Sequence, residues 1–476
     1  MMEPGDDAWA SLDAIAQGEL VARGEVSTSE LVEAACRRIE GIDPRLGAVP
    51  IRLFDEARRA ARDVHVGRSP VSGVPFLMKD VGARQAGQPY YAANRALRDR
   101  DHRATADTPL GACFREIGLV TVGKSSTPEF GLQSNTWPLA YGPTRNPWDP
   151  TRAAGGSSGG ACAAVSAGLV PVAHASDGAG SIRIPAAWCG LVGLKPSRDR
   201  IVWRHAGTGR SDVEFVVARS LRDTATFMDL LRSDRHRARA GEFRSGLTEQ
   251  LPVLRIGVCA DAPGGHAVHA ACRDATERAA QLLSDLGHDL EHAAPGPLAE
   301  YEERTLYGAV LGPAEYRECL EDLEERLGRP PGPGDVEPFL WELSRIADDA
   351  TPSEREAAAR WSSGWIRRTL RWFDSFDLLV TPTVPEPAPL LRELDPTRLN
   401  PLELLERMVP HMAFTEPWNA TGQPAISLPL GRSTEGLPVG VQLVAGRGLE
   451  GLLLSVGALL LGPVGEIAVP RPPIHA

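Results

Sequence analysis

Two serines set among glycines, a third serine behind a small-residue run and one lysine behind an apolar run are the residues of this 476-residue sequence that could do covalent chemistry. Gly155-Gly156-Ser157-Ser158-Gly159-Gly160 surrounds two serines with four glycines, a backbone that other residues would not tolerate. A flexible Gly/Ser linker has the same composition, but a linker does not run into Ala161-Cys162-Ala163-Ala164-Val165, which wants burial. In Asp177-Gly178-Ala179-Gly180-Ser181-Ile182-Arg183-Ile184-Pro185-Ala186, successive small residues before Ser181 can turn consecutive N–H groups toward one point. Such a nest suits a developing oxyanion. Lys79 follows Phe76-Leu77-Met78. Taken alone it is a solvated surface lysine. To serve as the base that activates a serine hydroxyl it must be neutral. From a start near ~10.4, neutrality at pH 7 requires its pKa to fall by more than about 3, or ~4–5 kcal/mol, which burial can supply.

The elements that would position these residues alternate between strand and helix. Ser27-x-x-Glu30 is a capping box that opens a helix over 28–41, and Phe54 to Val66 continues in helical period. Val71 to Leu77 reads as a short strand that ends at Lys79 and Asp80, and 104–118 as a helical segment leading into the apolar strand Leu119 to Val122. Residues 131–155 are loop-like, Ser158 to Gly168 a small-residue helix and Leu169 to Ala175 a buried strand. Residues 233–249 suit a linker. Then come a strand at Leu254 to Val258, an amphipathic helix over His269 to Leu286, a strand at Asp289 to Ala293, a Pro/Gly loop at 329–338 and helices to about 373. Leu378 to Val380, Ala425 to Leu430 and Val439 to Val444 look like core strands. This alternation is that of an α/β sheet.

These segments resemble the amidase signature family. Gly73-Val74-Pro75-Phe76-Leu77-Met78-Lys79-Asp80 is similar to its lysine strand, and Gly123-Lys124-Ser125-Ser126-Thr127-Pro128-Glu129-Phe130-Gly131 to its next block. Asn146-Pro147-Trp148 resembles the approach to the Gly/Ser loop, and Cys189 to Pro196 the exit from the nucleophile segment. Asn419 to Pro429 and Gly436 to Gln442 match near the C-terminus, so the resemblance runs from about residue 8 to 460. It implies a single amidase domain over 1–476, with a large mixed twisted sheet covered by helices on both faces. The signature core would span about 70–200 and a substrate-side excursion about 233–375.

By position, the resemblance implies Lys79 as base, Ser157 as a bridging serine in a cis peptide and Ser181 as nucleophile. It implies an oxyanion hole from the N–H groups of Gly178, Ala179, Gly180 and Ser181, with Asp177 and Arg183 holding the loop. Where the family commonly has Gly-Gly before the nucleophile this chain has Ala179-Gly180, and Arg152-Ala153-Ala154 stands where Thr and Pro are frequent. The hole survives the alanine if that position does not need φ > 0. The implied reaction is hydrolysis of a small acyl, aryl or cyclic amide through an acyl-enzyme, without metal or cofactor. Glutaminase activity within an amidotransferase, and acyl transfer to an amine, are the alternatives. Gly131, Trp137, Cys319 and Trp418 are candidates to bind substrate, with Tyr307 on the same footing.

Other signals are weaker. Gly118-Leu119-Val120-Thr121-Val122-Gly123-Lys124-Ser125 matches a P-loop letter for letter, yet its variable positions are β-branched and apolar and occupy a strand; ATP binding through Lys124 is the reading it would carry. His288-Asp289-Leu290-Glu291-His292 has zinc-peptidase spacing, but Gly287 ends the preceding helix, so its histidines would not share a helical face. A net charge of −11 argues against nucleic acid and anionic membrane as partners. No apolar run reaches the roughly 18 residues of a membrane span. Seven cysteines without a C-x-x-C pair fit buried thiols of a cytoplasmic protein. The partner expected is a small-molecule amide, with a homodimer kept open.

Overall fold

A computed structural model describes residues 4–202, 212–234, 241–346 and 350–461. Its strands are β1 (Ile51–Arg52), β2 (Pro75–Lys79), β3 (Val120–Ser125), β4 (Val172–Asp177), β5 (Val192–Lys195), β6 (Val213–Ala218), β7 (Arg255–Val258), β8 (Asp289–Glu291), β9 (Leu378–Pro382), β10 (Ala425–Arg432) and β11 (Pro438–Ala445). They form one sheet in the order β1-β3-β2-β4-β6-β5-β10-β11-β9-β7-β8. Pairing is mixed: β2 runs parallel to both β3 and β4, while β6 joins β4 and β5 antiparallel. Every residue of β2, β3, β5, β6, β9 and β11 is buried, so these strands have no solvent face. Apolar runs rather than alternation are what such strands require. Exposure returns at strand ends and at the sheet edges, at Arg52 of β1, Arg255 of β7, Arg432 of β10 and Asp289 and Glu291 of β8.

Helix starts follow their caps. Ser27 Oγ accepts the Glu30 N–H at 3.2 Å and Glu30 Oε2 accepts the Ser27 N–H at 2.8 Å, opening the helix Thr28–Ile42 where the capping box predicts it. The strand expected at Val71 to Leu77 instead spans Pro75–Lys79, because Ser72 and Val74 donate back to Ser69 and Val71 in turns. The helix expected over 104–118 is confined to Pro109–Glu116, capped by Thr108. Within 233–249, positions 235–240 lie outside the described residues and Glu242–Gly246 is a short helix. The segment 233–375 is only partly an excursion, since β7 and β8 belong to the sheet. Sequence reading assigned nothing to β6, to the helix Leu221–Leu231 behind it or to the helix Pro401–Met412. Among the described residues no helix is long and apolar enough to cross a membrane.

The loop that leads to the Gly/Ser segment is held by one amide. Asn146, fully buried, donates to the carbonyls of Ala153 and Trp188, both at 3.0 Å, and accepts the Trp148 N–H at 2.9 Å. Asn146→Ala leaves those backbone groups unpaired in the interior and is expected to cost about 2–3 kcal/mol. Urea denaturation checks this, and an unchanged midpoint would contradict it.

Candidate active site

Lys79 ends β2, the segment Gly155–Ser158 leads into the helix Gly159–Ser166, and Gly178–Ser181 follows β4. Because β2 and β4 are parallel neighbours, the three arrive together at the carboxyl ends of central strands, where open α/β sheets place their ligands. The two serine loops are joined directly, Ser158 N–H donating to the Ser181 carbonyl at 3.2 Å. Thr136 fixes the first, its hydroxyl donating to the Gly155 carbonyl at 2.8 Å and accepting the Gly159 N–H at 3.2 Å. The Gly156–Ser157 peptide is cis.

Lys79 Nζ is fully buried and touches three hydroxyls: Ser157 Oγ at 2.6 Å, Ser158 Oγ at 2.9 Å and Ser176 Oγ at 2.9 Å. None of these partners is charged. Burial therefore pulls the ammonium down to about 7, against an opposing attraction from Glu214, then Asp177 and weaker neighbours. The three hydroxyls are not equivalent. Ser158 Oγ donates to the Ser176 carbonyl at 3.1 Å, so its proton is committed and it accepts from the lysine. Ser157 lines the cavity and Ser158 does not. A neutral Lys79 amine thus has its lone pair for Ser157 and its N–H groups for Ser158 and Ser176. Among the described residues no hydrogen bond joins the Ser181 and Ser157 hydroxyls, though both line one cavity.

That cavity has a volume of about 420 Å³. Ser157, Ser176, Gly178, Ala179 and Ser181 form one wall, and Leu405, Met408 and Met412 supply apolar surface from the helix Pro401–Met412. The helix Pro313–Leu327 contributes Tyr316 and Cys319. Gly131 lies against Ser157: a Cβ there would sit 3.4 Å from Ser157 Oγ.

Of the four expected oxyanion donors, Gly180 is corrected. Its N–H is turned inward to Asp177 Oδ1 at 2.7 Å, and the residue does not line the cavity. Its φ of +131° demands glycine, and a Cβ would stand 2.3 Å from Thr415 Oγ1. Ala179 has no positive φ and sits in the cavity wall, so alanine is accommodated where the family has glycine. Gly178, Ala179 and Ser181 line the cavity.

Trp418 is likewise corrected as a substrate contact. It is buried with Leu379, Ala425 and Val444, and its indole N–H donates to the Phe414 carbonyl at 2.8 Å. Trp137 packs against the cluster of Ile184, Trp188 and Leu404 and does not line the cavity. Tyr307 lies against the Trp361 ring. The P-loop-like run is strand β3, with Lys124 Nζ enclosed and 3.9 Å from Met78 Sδ.

Asp177 organises the second loop. It accepts the N–H groups of Gly180 and Ile182, two guanidinium bonds from Arg183 at 2.9 Å and the Asn419 amide at 3.0 Å. Arg183 reaches on to the Thr415 carbonyl at 2.9 Å and Gln442 Oε1 at 2.8 Å. This clamp ties the C-terminal motifs to the loop that carries Ser181. Ser176, Met408 and Met412 were not found from sequence. One composition signal was available: of 51 Lys and Arg residues only Lys79, Lys124 and Lys195 are lysines. All three are buried, and burial pulls Lys124 down to about 8 and Lys195 to about 7.

The family model described as Amidase matches residues 30–454. The 6-aminohexanoate-cyclic-dimer hydrolase of Paenarthrobacter ureafaciens is 38% identical, covering 97% of this chain and 96% of that protein. The solved structure of 6-aminohexanoate cyclic dimer hydrolase complexed with substrate superposes with a TM-score of 0.90 at 36% identity, over 98% of this chain and all of that one. A bacterial aryl acylamidase of the amidase signature family superposes at 0.83 and 26% identity, over 94% of this chain and 96% of that one.

Burial alone would raise the Asp177 carboxyl; the Arg183 guanidinium overrides burial and holds it down to about 2, below its ordinary 3.8. A depressed carboxyl stabilises the fold above its unfolded pKa and loses that contribution as pH falls through the folded value. Asp177→Asn is therefore expected to lose ~2 kcal/mol or more at pH 7, with a deficit against wild type that shrinks as pH is lowered from about 4 toward 2. Urea titrations across that range check it, and a deficit independent of pH would contradict it.

Proposed function

This chain belongs to the amidase family, and on that premise we propose that it cleaves a carboxylic amide through an acyl-enzyme on Ser181, with Ser157 and neutral Lys79 as the proton relay. The observation that carries this reading is the Lys79 Nζ to Ser157 Oγ contact of 2.6 Å, buried at the wall of a cavity that Ser181 also lines. Only a base free of its proton can accept one, and a lysine ringed by neutral hydroxyls is such a base near pH 7.

Substrate binding brings the amide carbonyl against Ser181 Oγ. Ser157 accepts the Ser181 proton while passing its own to Lys79, and the alkoxide that develops adds to the carbonyl carbon. The N–H groups of Gly178, Ala179 and Ser181 receive the oxyanion, in an environment where water competes poorly. On collapse the proton returns through Ser157 to the leaving amine. Water then repeats the sequence in reverse roles and releases the acid.

The apolar face of Leu405, Met408 and Met412 suits an aliphatic or aryl acyl chain, and the relatives named for a cyclic dimer hydrolase point to a small linear or cyclic amide. A panel of such amides, run with wild type, Ser181→Ala and Lys79→Ala, tests the reading alongside mass spectrometry after a sulfonyl fluoride. Expected are turnover by wild type, a loss of roughly 10⁴-fold or more in either variant, and label on Ser181 alone. Turnover undiminished in Ser181→Ala, or label elsewhere, would contradict it.

A further inference from the structure

Beside Lys79 lie a histidine and a glutamate that the relay does not use, Glu214 standing opposite Ser176 in the β4–β6 ladder. The β2 to β4 ladder ends at Leu77 and Ala173, and beyond it the Lys79 N–H is accepted by a side chain, His174 Nδ1, at 3.3 Å. An imidazole nitrogen that accepts carries no proton, so in the neutral ring the proton is on Nε2. Nε2 stands 3.4 Å from Glu214 Oε2. Both residues are enclosed, His174 at 0% and Glu214 at 1% exposure; Nε2 and Oε2 lie within ion-pair reach of each other, and neither has a hydrogen-bond partner. The loop after Lys79 is shaped around this carboxylate: Gly82 has φ of +90°, and a Cβ there would lie 1.9 Å from Glu214 Oε1. Glu214 also lines the cavity.

We propose that His174 and Glu214 are a positioning pair for Lys79: the imidazole fixes the lysine's backbone and stands against the Glu214 carboxylate, which the β4–β6 register sets opposite Ser176, a hydroxyl partner of Lys79 Nζ, so that its charge acts on the ammonium. This rests on the reading of Lys79 as the base.

The groups facing Lys79 from the surrounding elements leave Glu214 the dominant charge. The hydroxyls of Ser157, Ser158 and Ser176 are neutral. Cys162, on the helix Gly159–Ser166, is a thiol raised well above its ordinary value by burial and is neutral too. Asp177 is engaged by Arg183, and Asp212 acts more weakly on the lysine than Glu214 does. Burial drives the proton off Lys79, and Glu214 is the largest opposing influence. The pair thus keeps the lysine basic enough to take a proton from serine while leaving about half of it free of one near neutrality.

The test is the pH dependence of Ser181 labelling by a sulfonyl fluoride, followed by mass spectrometry, in wild type, Glu214→Gln and Lys79→Ala. It needs no knowledge of the substrate. In wild type the rate rises with pH as Lys79 loses its proton. Glu214→Gln removes the opposing charge, so the rise is expected about one pH unit or more lower, with a reduced plateau because a weaker base remains. A rise left at the wild-type pH, with Lys79→Ala unreactive, would overturn the pair while sparing the base. Lys79→Ala reacting like wild type would remove the base reading and the pair with it. Should Glu214→Gln fail to fold, Glu214→Asp draws the charge back by one methylene, and a smaller downward move is expected; an unmoved rise there overturns the proposal equally.

Discussion

A lysine ammonium enclosed without a carboxylate in hydrogen-bond contact is the constraint on which this site depends. Taking a charge out of water is costly, and a protein ordinarily avoids the cost by pairing the charge or leaving it outside. Here the three atoms that touch Lys79 Nζ are serine hydroxyls, and the carboxylates that act on it do so without a direct bond. The cheaper state is the neutral amine. An apolar β2 between two parallel neighbours supplies the enclosure, and the Gly/Ser loop supplies hydroxyls that can both give and take a proton.

The remainder of the structure keeps two loops in register with that amine. Ser158 ties one loop to the other, and Asp177 gathers the second around a guanidinium that reaches Thr415, Asn419 and Gln442. Residues more than two hundred positions apart are therefore parts of one clamp. A buried Asp177–Arg183 pair adds little net stability compared with an apolar replacement, but breaking it strands a charge. Its use here is to turn the Gly180 and Ile182 N–H groups inward and so fix the loop that carries Gly178, Ala179 and Ser181 along the cavity.

Much of this was legible in the sequence, for physical reasons. The α/β alternation, the capped helix at Thr28 and the buried strands near residues 120, 172, 378, 425 and 439 follow from local pattern. The two glycine-rich serine segments stood out by themselves, whereas Lys79, taken alone a surface lysine, and the choice of Ser157 over Ser158 came from the resemblance to the amidase signature family. The cavity was less legible. Its wall comes from the helices Pro313–Leu327 and Pro401–Met412, where placement is decided by tertiary packing, so Cys319 and Gly131 line it while Trp137 and Trp418 do not. A tryptophan that satisfies its own indole N–H within a core looks, in sequence, like one that faces a ligand. Gly180 misled for a similar reason: its own N–H is spent on Asp177, a contact that the run of small residues does not reveal.

The scarcity of lysine makes the central claim directly measurable. With ¹³C-labelled lysine the folded enzyme has only three lysine side chains to follow, and Lys79→Ala assigns one of them. An NMR titration of that signal is expected to show a midpoint near 7, the value its burial imposes. A Lys79 that stays protonated to about 10.4, as an exposed lysine does, would contradict the account.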